Sequence, residues 1–558
     1  MNQGLQRLSD RYWDRLMAAA PMWASIIGDH RFDGEVEDLS ADAEAALAAE
    51  FHSVVRDAEA IDPATLDRDD QITRRVLMFE AGSQAGSLDS RVTEYLVDPM
   101  LGIQADLVQT VPQLRAADGE QADAFVAKAA KTGRVFDQAL ERHRQGVSNG
   151  RTPPRVSVEK ALGQLDAYLQ SPVESDPFLQ IGTPDGWSEI ELARWRNAMS
   201  EQVRAVVRPS AARYRDGVAA DVLPHARPEE KSGICWLPDG EEIYHRAVRR
   251  YTSLDLTPEQ IHQIGLDAIS SLEDEYRSLG SKVLGTADVP EIYRKLREDP
   301  SLRFETADQV QQAAESALSR ANAAIPHWFG RLPVSPCVVQ AIPDIGAADA
   351  TLAYYLPPAE DGSRPGIFFI NLAEPNTRTR FESEALAFHE SVPGHHLQLA
   401  IAQELDGVPS FRRHGMVTSY VEGWGLYTER LSDEMGLYSN DLARMGILSF
   451  DSWRAGRLVV DTGLHAMGWS RQQAIDYFMA NSPQAPNNVV NEVDRYIGYT
   501  GQALAYKLGQ REIVRLREHA RKSMGADFDI KGFHDTVLES GPVPLDLLGE
   551  LVEEWMEA

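Results

Sequence analysis

The segment ESEALAFHESVPGHHLQLAIAQELDG sets His389 beside Glu390, then Pro393-Gly394, then the pair His395-His396. Two imidazoles and a carboxylate in close succession are the parts of a zinc hydrolase: the imidazoles hold the ion and the carboxylate takes a proton from the water it polarises. The familiar spacing, H-E-x-x-H, places two histidines four apart on one helical face. Here the fourth residue after His389 is Pro393. On a regular helix, turning about 100° and rising about 1.5 Å per residue, His395 would stand roughly 240° round from His389. His396 would lie within about 20° in angle but about 10.5 Å along the axis. That is a poor span for imidazoles that each approach zinc to ~2.0–2.1 Å in tetrahedral geometry. An unbroken helix therefore makes no site.

Pro393 removes a helical donor and Gly394 tolerates unusual backbone angles, so the pair reads as a two-residue insertion. With it set aside the motif becomes H-E-S-V-H. His389 and His395 are then the expected ligands and Glu390 the base. His396 is the alternative ligand, or a group that contacts substrate. The helix is expected to run on to about Leu405, where Asp406-Gly407 and Pro409 end it and Ser410 caps the next. Returning antiparallel from Ser410, about 18 Å of axis reaches Glu422, level with the gap between the two histidines. Gly423 and Gly425 permit close helix approach there, and Glu429, two turns on, either orients a ligand or is solvated.

The elements that must position these groups read as helices. LTPEQIHQIGLDAISSLEDEY opens with Thr257 as N-cap, Pro258 at the first helical position and Gln260 completing a capping box. Ile261, Ile264, Ala268, Ile269 and Leu272 then mark one buried face. Ser470 with Gln473 opens another helix, and Pro544 to Ala558 suits a short amphipathic one. Linker-like residues cluster at 149–154 and 223–231. The expected organisation is an N-terminal helical lobe over 1–230 and a catalytic helical lobe over 231–558, integrated into one fold. Leu352–Leu356 and Ile367–Ile370 flank a Pro/Gly/Asp turn and predict a hairpin. The fold class is thus mainly α: a large two-lobed helical assembly with a deep cleft and a small β element near the active site.

Composition narrows the partners. Among 558 residues, 55 Lys and Arg face 85 Asp and Glu, a formal net charge of −30, which disfavours nucleic acid and anionic membranes. No apolar stretch is long enough for a conventional membrane span. The charged first residues read as mature protein rather than a signal peptide. Cys235 and Cys337 are the two cysteines, too few for a disulfide framework or a Cys-rich metal site, and suit free thiols in a cytoplasmic protein.

The segments HESVPGHHLQ, SYVEGWGLYTERL, VVDTGLHAMGWS and RYIGYTGQALAYKLG resemble the bacterial domain-of-unknown-function family numbered 885. That family looks like a relative of the gluzincin metallopeptidases, the group that includes thermolysin-like, angiotensin-converting-enzyme-like and Taq-type carboxypeptidases. The resemblance implies a mostly helical fold with a metal site from His389, His395 or His396, and Glu422. Thr500 departs from a more common Pro there, while Gln502, Tyr506 and Lys507 fit.

The expected chemistry is zinc-assisted hydrolysis of a small peptide or amide substrate, carboxypeptidase-like, with one Zn2+ per chain and Glu390 as general base. Tyr496 and His465 are the candidates to stabilise the oxyanion, ahead of Tyr499. Arg495 either pairs with a substrate carboxylate or with a neighbouring acid. Tyr355, on the hairpin, is a candidate to contact an extended substrate. His414 is expected to be structural. Three alternatives share these residues: a non-haem iron enzyme, a hydrolase of a non-peptide amide or ester, and a metal-free scaffold.

Overall fold

The computed structural model describes residues 2–342, 351–359 and 364–558. The chain is mainly α. The capping residues act as their types dictate. Thr257 and Gln260 form a reciprocal capping box at the start of helix Pro258–Val283, and Ser470 and Gln473 do the same for Arg471–Asn481. Pro544 precedes the helix Leu545–Glu557. Of the expected face, Ile261, Ile269 and Leu272 are buried, while Ile264 and Ala268 are half-buried.

Gly265 lets helix Pro258–Val283 lie directly on helix Asp441–His465: a Cβ there would meet Val459 Cγ2 at 2.7 Å. The second of these helices is buried on almost every side, from Met445 to His465. An all-round buried helix is ordinarily apolar. This one carries Asp451, Arg454, Arg457, Asp461 and His465 into the interior, and each must find its partners there.

The β element is a three-stranded sheet: β1 (Cys337–Ala341), β2 (Ala353–Leu356) and β3 (Gly366–Ile370) in the order β1-β3-β2. β2 and β3 pair antiparallel, Tyr355 opposite Phe368, so the predicted hairpin partners do meet. Residues 360–363 of the expected turn lie outside the described residues. β1 pairs parallel with β3 and was not predicted; Cys337–Ala341 is too short to carry an alternating pattern.

The buried clusters do not divide the chain at 231. Leu5, Tyr12, Phe51, Val76 and Leu77 share one core with residues 314–552, including Phe388, Leu397 and Trp424 beside the histidine motif. Arg68 pairs with Glu554, and Arg75 with Asp546 and Glu550, across the same junction. Residues 97–226 build a separate core around Phe125, Phe136, Trp195 and Tyr214. The two stretches expected to be linkers are pinned together. Arg155 N donates to the Arg227 carbonyl at 2.7 Å, and Arg227 N to that of Pro153 at 2.8 Å. Arg151 and Arg227 are themselves buried.

Candidate metal centre

The helix Ser383–Glu390 stops where Pro393 demands it, and a new helix, His395–Gln403, starts immediately after Gly394. Between them the chain makes a tight step with a cis Val392–Pro393 bond. Gly394 is required by close approach: a Cβ would fall 1.9 Å from the His389 carbonyl oxygen. Trp424 Nε1 donates to the Pro393 carbonyl at 3.0 Å, tying the step to helix Thr418–Glu434. That helix starts at Thr418, not Ser410; a separate short turn, Ser410–Arg413, precedes it.

The step brings the His389 and His395 rings to 4.7 Å, edge to face. Glu422 Oε2 stands 3.6 Å from His389 Nε2 and 3.4 Å from His395 Nε2. Both separations exceed the 2.7–3.2 Å usual for a hydrogen bond. They match instead the separation of about 3.3 Å expected between donors that each sit ~2.0–2.1 Å from one tetrahedral ion. All three donor atoms lie within 4.8 Å of one another. Two imidazoles and one carboxylate, with a fourth position left open, are a donor set that zinc accepts. His389, His395 and Glu422 therefore fit the ion that the sequence implied.

Electrostatics points the same way. Glu429 is wholly buried, and its Oε1 lies 2.9 Å from His389 Nδ1. In the neutral, ligating form this places the proton on Nδ1 and leaves Nε2 to face Glu422 and His395. Burial pushes the His389 pKa down, but the Glu422 and Glu429 carboxylates outweigh it and raise the value to about 9. Burial works equally against ionised Glu422, yet the two histidines hold its carboxyl well below the usual range. The pocket thus favours positive charge between its donors. Gly425 leaves the necessary room: a Cβ there would meet His389 Nε2 at 2.7 Å. Glu390 ends the first helix, half-buried, and its charge is felt by His389.

The remaining sequence candidates lie elsewhere. His396 is buried with both nitrogens engaged, Nε2 with the Ser335 carbonyl at 3.0 Å and Nδ1 with the Tyr355 hydroxyl at 2.9 Å. Burial pushes its pKa down to about 4. It is therefore free neither as the alternative ligand nor as a contact group, and the Tyr355 hydroxyl is bonded to it. His465, expected at the oxyanion, bonds instead to Ile234 N at 3.1 Å and to the Tyr496 carbonyl at 2.9 Å. Tyr496 is fully buried; its hydroxyl accepts from Trp453 Nε1 and Arg457 Nε and donates to Glu492. Neither has a donor left for substrate. Arg495 pairs with Glu492 at 3.1 Å and with Gln502 Oε1 at 2.9 Å, the structural of its two readings. Tyr499 packs edge-on against Tyr251, and His414 stacks on Trp13.

One group was given no role in the sequence analysis. Tyr506 lies on helix Ala505–Met524, which crosses helix Thr418–Glu434 where Gly423 meets Gly509. Burial and then the charge of Glu422 raise its phenol pKa, so the phenol stands within electrostatic reach of the triad.

The chain matches the family described as "Bacterial protein of unknown function (DUF885)" over residues 21–552, and it belongs to that family. A crystal structure of a candidate lipoprotein from Colwellia psychrerythraea is similar over 99% of both chains, with 27% identity and a TM-score of 0.92. A candidate lipoprotein of unknown function from Shewanella oneidensis shares the fold, at 18% identity and a TM-score of 0.76 over 98% of this chain and 99% of that one. No curated protein matches the sequence.

Proposed function

We propose that this family member is a zinc-dependent hydrolase of peptide or amide bonds, acting on short, carboxypeptidase-type substrates with one ion per chain. The observation that carries the reading is Glu422 Oε2 standing 3.6 and 3.4 Å from the Nε2 atoms of His389 and His395. The likeness of the family to the gluzincin metallopeptidases, as expected from the sequence, supports it. His389, His395 and Glu422 would hold the ion, which when bound polarises a carbonyl and makes water acidic enough to attack near neutral pH. Glu390, one residue beyond His389, would take the proton from the attacking water and return it to the leaving amine. Glu429 holds His389 in the ligating tautomer. Tyr506 would be the phenol that donates to the developing oxyanion, the role for which Tyr496 and His465 were the sequence candidates. A cytoplasmic setting stays part of the proposal, on the free thiols of Cys235 and Cys337. No helix among the described residues is long and apolar enough to cross a membrane.

Two measurements test it together: metal content of protein purified without added metal or chelator, and hydrolysis of a peptide panel by wild type and Glu390→Gln. One equivalent of zinc, with turnover lost in the variant and metal kept, is expected. A protein that refuses zinc, or a Glu390→Gln variant at full rate, overturns the reading. The same donor set also forms the facial triad of non-haem iron enzymes; iron in place of zinc would select that chemistry.

A further inference from the structure

The lobe of residues 97–226 holds a cavity of about 210 Å3 where it meets the segment from Met22 to Leu39. Leu39, Leu96, Leu101, Ile103 and Val135 line it and are only half-buried. Its outer wall is fixed by hydrogen bonds to helix Gly119–Ser148. Lys128 Nζ donates to the Glu35 carbonyl at 2.7 Å, Arg134 to that of Val36 at 3.1 Å, and Leu39 N to Gln138 Oε1 at 3.0 Å. Asp106 belongs to the lining and is exposed, so the cavity opens to solvent. A preformed, mostly apolar concavity with a few polar groups is the usual form of a small-molecule site. An apolar cavity of about 150 Å3 already takes benzene. This one therefore has room for a ring or branched chain with a short polar arm.

Three charged side chains line the same space, and among the described residues none has an ion-pair partner. Glu37 Oε1 accepts from Met22 N at 3.2 Å, Asp106 Oδ1 accepts from the Thr110 hydroxyl at 3.1 Å, and Lys128 has the Glu35 carbonyl. Asp106 opens a turn widened to i,i+5 bonding, Asp106–Thr110, a helix distortion that recurs at functional sites. Burial and then the charge of Glu37 push the Asp106 pKa up to about 6, so the two carboxylates repel each other there. Lys128 is 1% exposed, and burial lowers its pKa against the pull of Glu37, Asp33 and Glu35. His143 adds no charge: burial outweighs the Thr93 and Glu94 carbonyls and brings its pKa down to about 4. Near neutral pH two carboxylates against one ammonium leave −1, and −2 if Lys128 gives up its proton. A cation answers both sums. An inorganic one asks for a full shell of oxygens, which walls of leucine, isoleucine and valine do not supply.

We propose that this cavity binds a small primary amine with an apolar body, its ammonium held by Glu37 and Asp106 and its chain or ring lodged among Leu39, Leu101, Ile103 and Val135. Charge-assisted N–H···O bonds to the two carboxylates supply specificity, and burial of the apolar body supplies affinity. The site is separate from the metal centre and does not rest on the hydrolase reading. Its lining packs with the core of residues 97–226, whereas the histidine motif packs in the other core.

The probe is 3-phenylpropylamine, with 3-phenylpropan-1-ol and 3-phenylpropionate as neutral and anionic counterparts. Calorimetry on the full chain is expected to show one amine per chain, bound at least about 10-fold tighter than the alcohol, and no binding of the acid. Asp106→Asn, a change at an exposed position, should weaken the amine by about 10-fold and leave the alcohol unchanged. Val135→Phe, which fills the cavity, should abolish binding of both while helical circular dichroism is kept. Amide hydrogen exchange should slow within residues 36–39 and 103–110 when the amine binds. An alcohol that binds as tightly as the amine, or an acid that binds better, overturns the proposal. So does amine binding that Asp106→Asn leaves intact, the behaviour of a cation drawn loosely to a chain of net charge −30. Zinc-stripped and zinc-loaded protein should bind the amine alike; affinity that follows zinc content would place the amine on the metal and sink the cavity site.

Discussion

Glu429 Oε1 and His389 Nδ1 lie 2.9 Å apart, with the carboxylate wholly buried and two helical turns from Glu422 on the same helix. One helix thus supplies a candidate ligand and the carboxylate that orients another. Glu429→Gln is expected to weaken zinc binding by about 10–100-fold while saturating zinc restores much of the activity. Competition with a chromogenic chelator measures it; an unchanged affinity would remove Glu429 from the metal's support.

Gly425 faces the His389 ring so closely that a Cβ would stand 2.7 Å from both Cε1 and Nε2. Gly425→Ala should therefore displace the imidazole and strip metal from a protein that keeps its helical circular dichroism. A fully loaded variant would show that His389 can yield without losing its grip.

Tyr506 and Tyr496 should separate on substitution. Tyr506→Phe is expected to lower kcat by about 10²-fold with little change in KM, as when one oxyanion donor is removed. Tyr496→Phe leaves Trp453 Nε1 and Arg457 Nε short of an acceptor, and should cost about 1–3 kcal/mol of stability. The reverse pattern in rates and denaturation midpoints would return the catalytic role to Tyr496.

Asp461 provides a pH signature remote from the triad. It is buried, accepts from the Tyr244 hydroxyl at 2.7 Å and from Gly501 N at 3.1 Å, and burial outweighs both to push its pKa up to about 7. Unfolded, an aspartate titrates near ~3.9. Between these values the folded state holds the extra proton, so this contribution is complete below pH ~4 and declines as pH rises toward 7. Wild type should lose about 2 kcal/mol relative to Asp461→Asn between pH 5 and 7. Parallel melting profiles of the two proteins would contradict this.

Local rules went far in this chain and stopped at definite places. Caps, helical periodicity and the hairpin pairing follow from neighbouring residues, and so does the break at Pro393-Gly394. Counting along the axis reached Glu422, though by a path through Ser410 that the chain does not take: the helix begins at Thr418, and the earlier turn consumes the difference. Tyr496 and His465 misled because sequence displays a hydroxyl or an imidazole without its partners. Only packing reveals that Glu492, Trp453 and Ile234 have already claimed them. Tyr506 stood in a family-like segment without a role for the converse reason. Its distinction is what it adjoins in space, and the helix that carries it lies far along the chain from Glu422.

The junction that joins Leu5, Tyr12 and Phe51 to the core of residues 314–552, sealed by ion pairs from Arg68 and Arg75 to Asp546, Glu550 and Glu554 of the last helix, also sets the order of events at the ribosome. Synthesis delivers the chain from its N-terminal end, and helices within residues 3–89 emerge long before Asp546, Glu550 and Glu554 exist. They pack partly on one another, Tyr12 on Phe51, but the apolar surface that meets residues 314–552 waits through most of translation. Meanwhile the stretch 97–226 closes on itself. Nascent chains of this protein should accordingly depend on holding chaperones until release, and the donors for the ion should come together among the final events of folding.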